Sequence, residues 1–148
     1  MGRVVSIIEG AIRQNGVALA VSIDIANAFN SLPWKTIREG LERHKLPGYL
    51  KRIINNYLTG RTVEYKGKSG YTHRETNRGI PQGSVLGPLL WNLGYDIVLS
   101  TVLPTGVYAT CYADDTLLAC GREWTRTIRT MEVGLAALVQ RITSLDLA

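Results

Sequence analysis

The segment from Val107 to Cys120 constrains the fold of this chain more than any other. Two β-rich apolar runs, Val107 to Tyr112 and Thr116 to Cys120, are separated only by Ala113-Asp114-Asp115, which predicts a hairpin with two adjacent carboxylates at its tip. A partner strand is available near the start of the chain. From Val17 to Ile23, the residues Val17, Leu19, Val21 and Ile23 alternate with Ala18, Ala20 and Ser22. That is the period of a half-buried strand, and Asp24 stands just past its end.

Between these β segments the pattern is mixed. Pro33 opens a helix that places Trp34, Ile37 and Leu41 on one side, and a second short helix follows Pro47, carrying Leu50, Ile53, Ile54 and Tyr57 and stopping near Gly60. Arg61 to Tyr65 and Tyr71 to Thr76 read as short strands around Lys66-Gly67-Lys68-Ser69-Gly70. Gly67-Lys68-Ser69 lacks the upstream glycines and the following helix of a phosphate-binding loop, so it reads as a solvated turn. Val85 to Leu99 is apolar enough for a buried helix, with Pro88 tolerated in its first turn and Ser84 as its cap. From Arg122 onward, Trp124, Ile128, Met131, Leu135, Leu138 and Ile142 form one stripe at helical spacing, leaving Arg122, Arg126 and Arg129 on the exposed side. The order implies an α+β fold, an antiparallel sheet with helices packed on one face.

The 148 residues suit one domain of ordinary size, here 1-148. Seventeen Lys and Arg against twelve Asp and Glu give +5, which suits a polyanionic partner without requiring one. No stretch approaches the roughly 18 to 20 apolar residues of a membrane span, and the start has no leader pattern, so no membrane partner and an intracellular location, nuclear or cytoplasmic, are expected. Cys111 and Cys120 fit buried thiols on strands, since neither a disulfide framework nor a zinc pattern is available.

Asp24, Asp114 and Asp115 each follow an apolar β run, where ordinary surface acids are not expected. With the first strand beside the hairpin, Asp24 and Asp114 come close at one sheet edge, and like charges held together repel unless a cation bridges them. An all-oxygen site favours Mg²⁺ or Mn²⁺. Two such ions about 3.5 to 4 Å apart suit an in-line displacement at phosphorus, with an attacking 3′-hydroxyl and a departing pyrophosphate. The plainer alternative is a loop cap at Asp24 and a polar turn at Asp114-Asp115.

Three motifs stand in order: Asp24-Ile25-Ala26-Asn27-Ala28-Phe29, then Gly79-Ile80-Pro81-Gln82-Gly83-Ser84-Val85-Leu86-Gly87-Pro88, then Tyr112-Ala113-Asp114-Asp115. Together they resemble the palm of reverse transcriptases, RNA-directed DNA polymerases, over residues 10 to 147. Ala28-Phe29-Asn30-Ser31 with Pro33-Trp34 is similar to the enzymes of LINE-like, non-LTR retrotransposons and to group II intron maturases.

The resemblance implies that Asp24, Asp114 and the Ile25 backbone carbonyl hold the metal, two ions of Mg²⁺ or Mn²⁺, with Asp115 a supporting catalytic acid. It implies that the amides of Ala26, Asn27 and Ala28 face the incoming deoxynucleoside triphosphate and that Phe29 lies under its sugar, occupying the volume a 2′-hydroxyl would need. Gln82 and Gly83 would line the nucleotide, with Pro81, Tyr112 and Ala113 toward an RNA or DNA template and its primer. Trp34 with its helix, and the helix from Val85, would pack beneath the sheet. Arg61, Lys66, Lys68, Arg74 and Arg78 either track phosphates or are scattered surface charge.

The fingers, the thumb with its lysine, and the endonuclease region usual in such proteins do not fit in this length, so a partial palm of a longer parent is expected. Two rivals carry over. One is a catalytically inactive nucleic-acid-binding or structural remnant. The other, a palm-like nucleotidyl cyclase, does not explain Pro81-Gln82-Gly83 or Phe29 five residues after Asp24.

Overall fold

The computed structural model describes residues 2–68 and 70–147, with the backbone alone for Arg122; Ser69, within the expected turn, lies outside the described residues. In chain order it runs α1 (Gly2–Arg13), β1 (Val17–Ile23), α2 (Ala28–Ser31), α3 (Trp34–Arg43), α4 (Gly48–Leu58), β2 (Thr62–Gly67), β3 (Gly70–Glu75), α5 (Gly87–Leu99), β4 (Val107–Tyr112), β5 (Asp115–Arg122) and α6 (Trp124–Ser144). The class is α+β, with a three-stranded sheet in the order β1-β5-β4 and a separate β2-β3 hairpin, antiparallel throughout. No helix among the described residues is long and apolar enough to cross a membrane. The chain forms two compact units, one made of Phe29–Tyr95 and the other of the residues on both sides of that stretch.

In the second of these units β1 pairs with β5 and β5 with β4, the pairing expected from the alternating pattern. β5 is the central strand, and Thr116, Leu118, Ala119 and Cys120 are all buried on it. Neighbouring residues of a strand point to opposite faces, so both faces of β5 are covered. On one, a Cβ on Gly121 would come within 2.9 Å of Ala11 of α1. On the other, the Cys120 thiol reaches the Thr127 carbonyl of α6 at 3.6 Å. Helices thus cover two faces at this end of the sheet, where the sequence suggested one. The continuous apolar run Thr116-Leu117-Leu118-Ala119-Cys120 is the mark of a strand buried on both sides.

α6 buries Thr127, Met131, Gly134, Leu138 and Ile142. Its buried stripe is turned toward Thr127 and Gly134, leaving Ile128 and Leu135 only half-buried. Gly134 accounts for the turn, because Val107 of β4 lies 3.1 Å from where its Cβ would be and the helix comes close on that side. Trp124, expected in the stripe, is 60% exposed at the first residue of the helix. Period sets a face but not how far the covering sheet extends.

In Phe29–Tyr95, α3 buries Trp34, Ile37 and Leu41 as expected, with Pro33 in extended geometry just before it. α4 buries Ile54 and Leu58, whereas Ile53 is 57% exposed. A Cβ on Gly40 of α3 would collide with the Leu93 carbonyl of α5, and one on Gly94 would meet Leu32 at 2.8 Å. The missing side chain at Gly40 lets the α3 and α5 backbones approach, and that at Gly94 leaves room for the Leu32 side chain. β2 and β3 are exposed on both faces apart from half-buried Gly67, and a strand rather than a helix follows Gly67-Lys68.

Candidate active site

β1 and the β4-β5 hairpin bring the acidic residues to one end of the three-stranded sheet. Thr116, fully buried, pairs with Ile23 on one side and with Cys111 on the other. The next residue of β5, Asp115, pairs with Tyr112, and Asp24 directly follows Ile23, the last paired residue of β1. The turn is therefore two residues, Ala113 and Asp114, with Asp115 already in the strand; the sequence suggested three. Ala113 has φ +54°, a left-handed backbone that costs an alanine about 1 kcal/mol or more and belongs to the primed turns of tight hairpins.

Asp24 and Asp115 are exposed, and Asp114 is partly buried. Ile25, 4% exposed, and Ala28, 3% exposed, anchor the backbone on either side of Ala26 and Asn27, which are exposed; Asn27 has φ +55°. Tyr112 is 86% exposed beside the turn. Among the described residues no three His, Cys, Asp or Glu side chains converge closely enough to hold a metal ion as they stand. The chemistry of the donors still suits a hard cation: three carboxylates and main-chain carbonyls at one edge, with the nearest thiol, Cys111, engaged with Thr116 at 3.1 Å.

Phe29 and the Pro81-Gln82-Gly83 loop belong to the other unit, where they are joined through the backbone. The Ile80 N–H donates to the Phe29 carbonyl at 2.7 Å, and the Gly79 N–H donates to the Leu32 carbonyl at 2.8 Å. The Trp34 indole N–H donates to the Gly79 carbonyl at 2.8 Å. Gly79 has φ +87°, and a Cβ there would lie 2.9 Å from the Asn30 carbonyl oxygen, so only glycine allows this approach. Phe29 is half-buried and stacks on Trp91 at 5.0 Å, which in turn stacks on Tyr95 at 5.0 Å.

Past buried Ile80, Pro81 is half-buried and Gln82 and Gly83 are exposed. The Ser84 hydroxyl does not cap α5, making no hydrogen bond to its amides among the described residues, while the Ser84 carbonyl accepts from the Gly87 N–H at 3.1 Å. Helix α5 starts at Gly87, later than the cap expectation required. Sequence reasoning missed the Trp34–Gly79 bond and the Trp91–Tyr95 stack. The signals were there, a tryptophan directly after Pro33, shortly past the first motif, and aromatics four apart on α5.

Known proteins agree with these motifs. The family model for reverse transcriptase (RNA-dependent DNA polymerase) matches residues 3–147. The Retrovirus-related Pol polyprotein from type-1 retrotransposable element R1 of Bradysia coprophila is 30% identical over 103 residues, 70% of this chain and 10% of that protein. The corresponding polyprotein from element R2 of Nasonia vitripennis is 33% identical over 143 residues, 86% of this chain and 13% of that protein. The chain thus spans about a tenth of the length of the curated relatives it matches. With the match running through all three motifs and both units, the chain belongs to the reverse transcriptase, or RNA-dependent DNA polymerase, family.

Proposed function

We propose that this chain is the nucleotidyl-transfer palm of an RNA-directed DNA polymerase, adding deoxynucleotides to a primer 3′-hydroxyl with release of pyrophosphate. The observation that carries the reading is the register through Thr116, which brings the end of β1, just before Asp24, to the hairpin end bearing Asp114 and Asp115. Asp24, Asp114 and the Ile25 carbonyl would hold two divalent ions, Mg²⁺ or Mn²⁺, and Asp115 adds negative charge beside them. When bound, such ions make the 3′-hydroxyl easier to deprotonate and stabilise charge on the leaving pyrophosphate.

The chain's own residues do the positioning. Buried Ile25 and Ala28 fix the segment between them, so that the amides of Ala26, Asn27 and Ala28 meet the triphosphate. Phe29 fills the space beneath the sugar, and the Trp91 ring behind it keeps it from retreating. Gln82 and Gly83 are open to solvent and suited to approach the nucleotide, with Pro81 fixing the turn. Exposed Tyr112 and small Ala113 suit the primer end.

The test is primer extension on an RNA template with Mg²⁺ or Mn²⁺ and four deoxynucleoside triphosphates, comparing the chain with Asp114→Asn at matched folding. Product that depends on metal and vanishes in the variant supports the reading. No product from either, with both folded by circular dichroism, contradicts catalysis by this chain and favours the inactive nucleic-acid-binding remnant.

A further inference from the structure

We propose that Tyr57, near the end of α4, is a positioning residue: together with Arg61 it holds the Ser84 hydroxyl and so sets where the Gln82-Gly83 tip of the loop stands. That the tip meets a nucleotide rests on the polymerase reading above; the clasp itself does not.

Three stretches of the Phe29–Tyr95 unit build the clasp. α4 buries Ile54 and Leu58, which leaves Tyr57 half-buried at the margin of that stripe. Gly60, at φ +67°, turns the chain just past the helix, a conformation that glycine takes without strain. The turn returns Arg61 to the helix it has left, with its guanidinium 4.6 Å from the centre of the Tyr57 ring. The Arg61 backbone is fixed as well, its carbonyl accepting from the Thr76 N–H at 3.1 Å.

Ser84 is the joint of the loop. Its N–H donates to the Pro81 carbonyl at 3.1 Å and its carbonyl accepts from the Gly87 N–H at 3.1 Å, so it ends one tight turn and begins the next. Gln82 and Gly83 are exposed while the Ser84 Oγ is buried, so the loop shows its tip to solvent and turns this hydroxyl inward. There it meets Tyr57. The Arg61 guanidinium above all draws the Tyr57 hydroxyl below its ordinary 10.0; burial opposes this and the Ser84 hydroxyl adds to it. Both neighbours are donors, and a phenol oxygen has lone pairs to offer them. Arg61 Nη1 is buried like Ser84 Oγ, so removing the phenol oxygen strands two buried donors, one of them charged.

The test follows amide hydrogen exchange by NMR on the whole chain, without metal or nucleotide, in the wild type, Tyr57→Phe, Ser84→Ala and the pair. Tyr57→Phe keeps the ring beside Arg61 and removes only the oxygen. Exchange at the Ser84 and Gly87 amides, whose bonds close the two turns, is expected to quicken about five- to tenfold while the amides of α3 keep their rates. Ser84→Ala should act alike, and the pair should add less than about twofold to either, because both substitutions remove one shared contact. In primer extension Tyr57→Phe should raise KM for the deoxynucleotide about fivefold and leave kcat within about twofold.

Unchanged loop rates in Tyr57→Phe, equal quickening in α3, or effects that multiply in the pair would each overturn the clasp, the second by marking a loss of stability throughout the unit. Extension by the wild type with KM unmoved in Tyr57→Phe would overturn the positioning role and leave the polymerase reading intact. A loosened loop in Tyr57→Phe with no extension by the wild type would support the clasp and contradict the polymerase reading.

Discussion

Trp34 and Gly79, 45 residues apart, are joined by a 2.8 Å hydrogen bond from the indole N–H to the glycine carbonyl. It ties the start of α3 to the approach of the Pro81-Gln82-Gly83 loop, beside the backbone bond from Trp34 N–H to the Asn77 carbonyl at 3.0 Å. Trp34→Phe keeps a buried aromatic and removes only the donor. It should cost about 1 to 3 kcal/mol, the penalty for stranding a partly buried carbonyl. Urea unfolding measures it, and a loss below about 0.5 kcal/mol would show that water replaces the indole.

Gly40 and Gly10 should respond to alanine in opposite directions. A Cβ on Gly40 meets the Leu93 carbonyl, whereas one on Gly10 of α1 meets nothing within 4 Å. Gly40→Ala should destabilise by about 1 to 3 kcal/mol through overpacking, and Gly10→Ala should stabilise by about 0.5 to 1 kcal/mol through helix propensity. Thermal melts of the two variants against the parent decide it.

Both thiols should be poor nucleophiles in the folded chain. Burial pushes the Cys120 thiol above its ordinary 9.0. Burial also raises Cys111, with the Thr116 hydroxyl pulling partly the other way. The folded state then keeps protons that the unfolded chain releases as pH rises past 9.0, so this contribution is fully present below that pH and is lost above it. A thiol reagent at pH 8 should label the native chain slowly and the urea-unfolded chain fast. Fast labelling of native Cys120 would contradict its burial.

Phe29 should discriminate between sugars because Trp91 holds its ring. Phe29→Val should raise ribonucleotide over deoxyribonucleotide incorporation on the order of ten- to a hundredfold. Trp91→Leu should relax the same preference more weakly, by leaving Phe29 room to withdraw. Unchanged sugar preference in Phe29→Val would remove the gate role and leave Phe29 a packing residue.

The sheet was legible in the sequence because its signals are local. Alternation at Val17 to Ile23 and the short break at Ala113-Asp114 define a strand and a hairpin within a few residues. What sequence missed depended on neighbours distant in the chain. The turn of the α6 stripe toward Gly134 comes from Val107, and the second covered face of β5 from Ala11 against Gly121. Ser84 looked like a cap because serine commonly is one, yet the tight Pro81-to-Ser84 and Ser84-to-Gly87 turns delay the helix to Gly87. For the site, all three acids were legible as acids after apolar strands. The Asp115 pairing with Tyr112 and the tether of Gly79 to Trp34 needed three dimensions.

The most direct measurement is a double-mutant cycle on metal-dependent primer extension with Asp24→Asn, Asp114→Asn and the pair, each checked for folding by circular dichroism. Residues that serve one catalytic centre fail as a unit, so each single substitution should remove activity by about a thousandfold or more and the pair should lose little further. Losses that multiply as independent effects, a single variant that retains full activity, or no product from the wild type would contradict a shared catalytic centre at this end of the sheet.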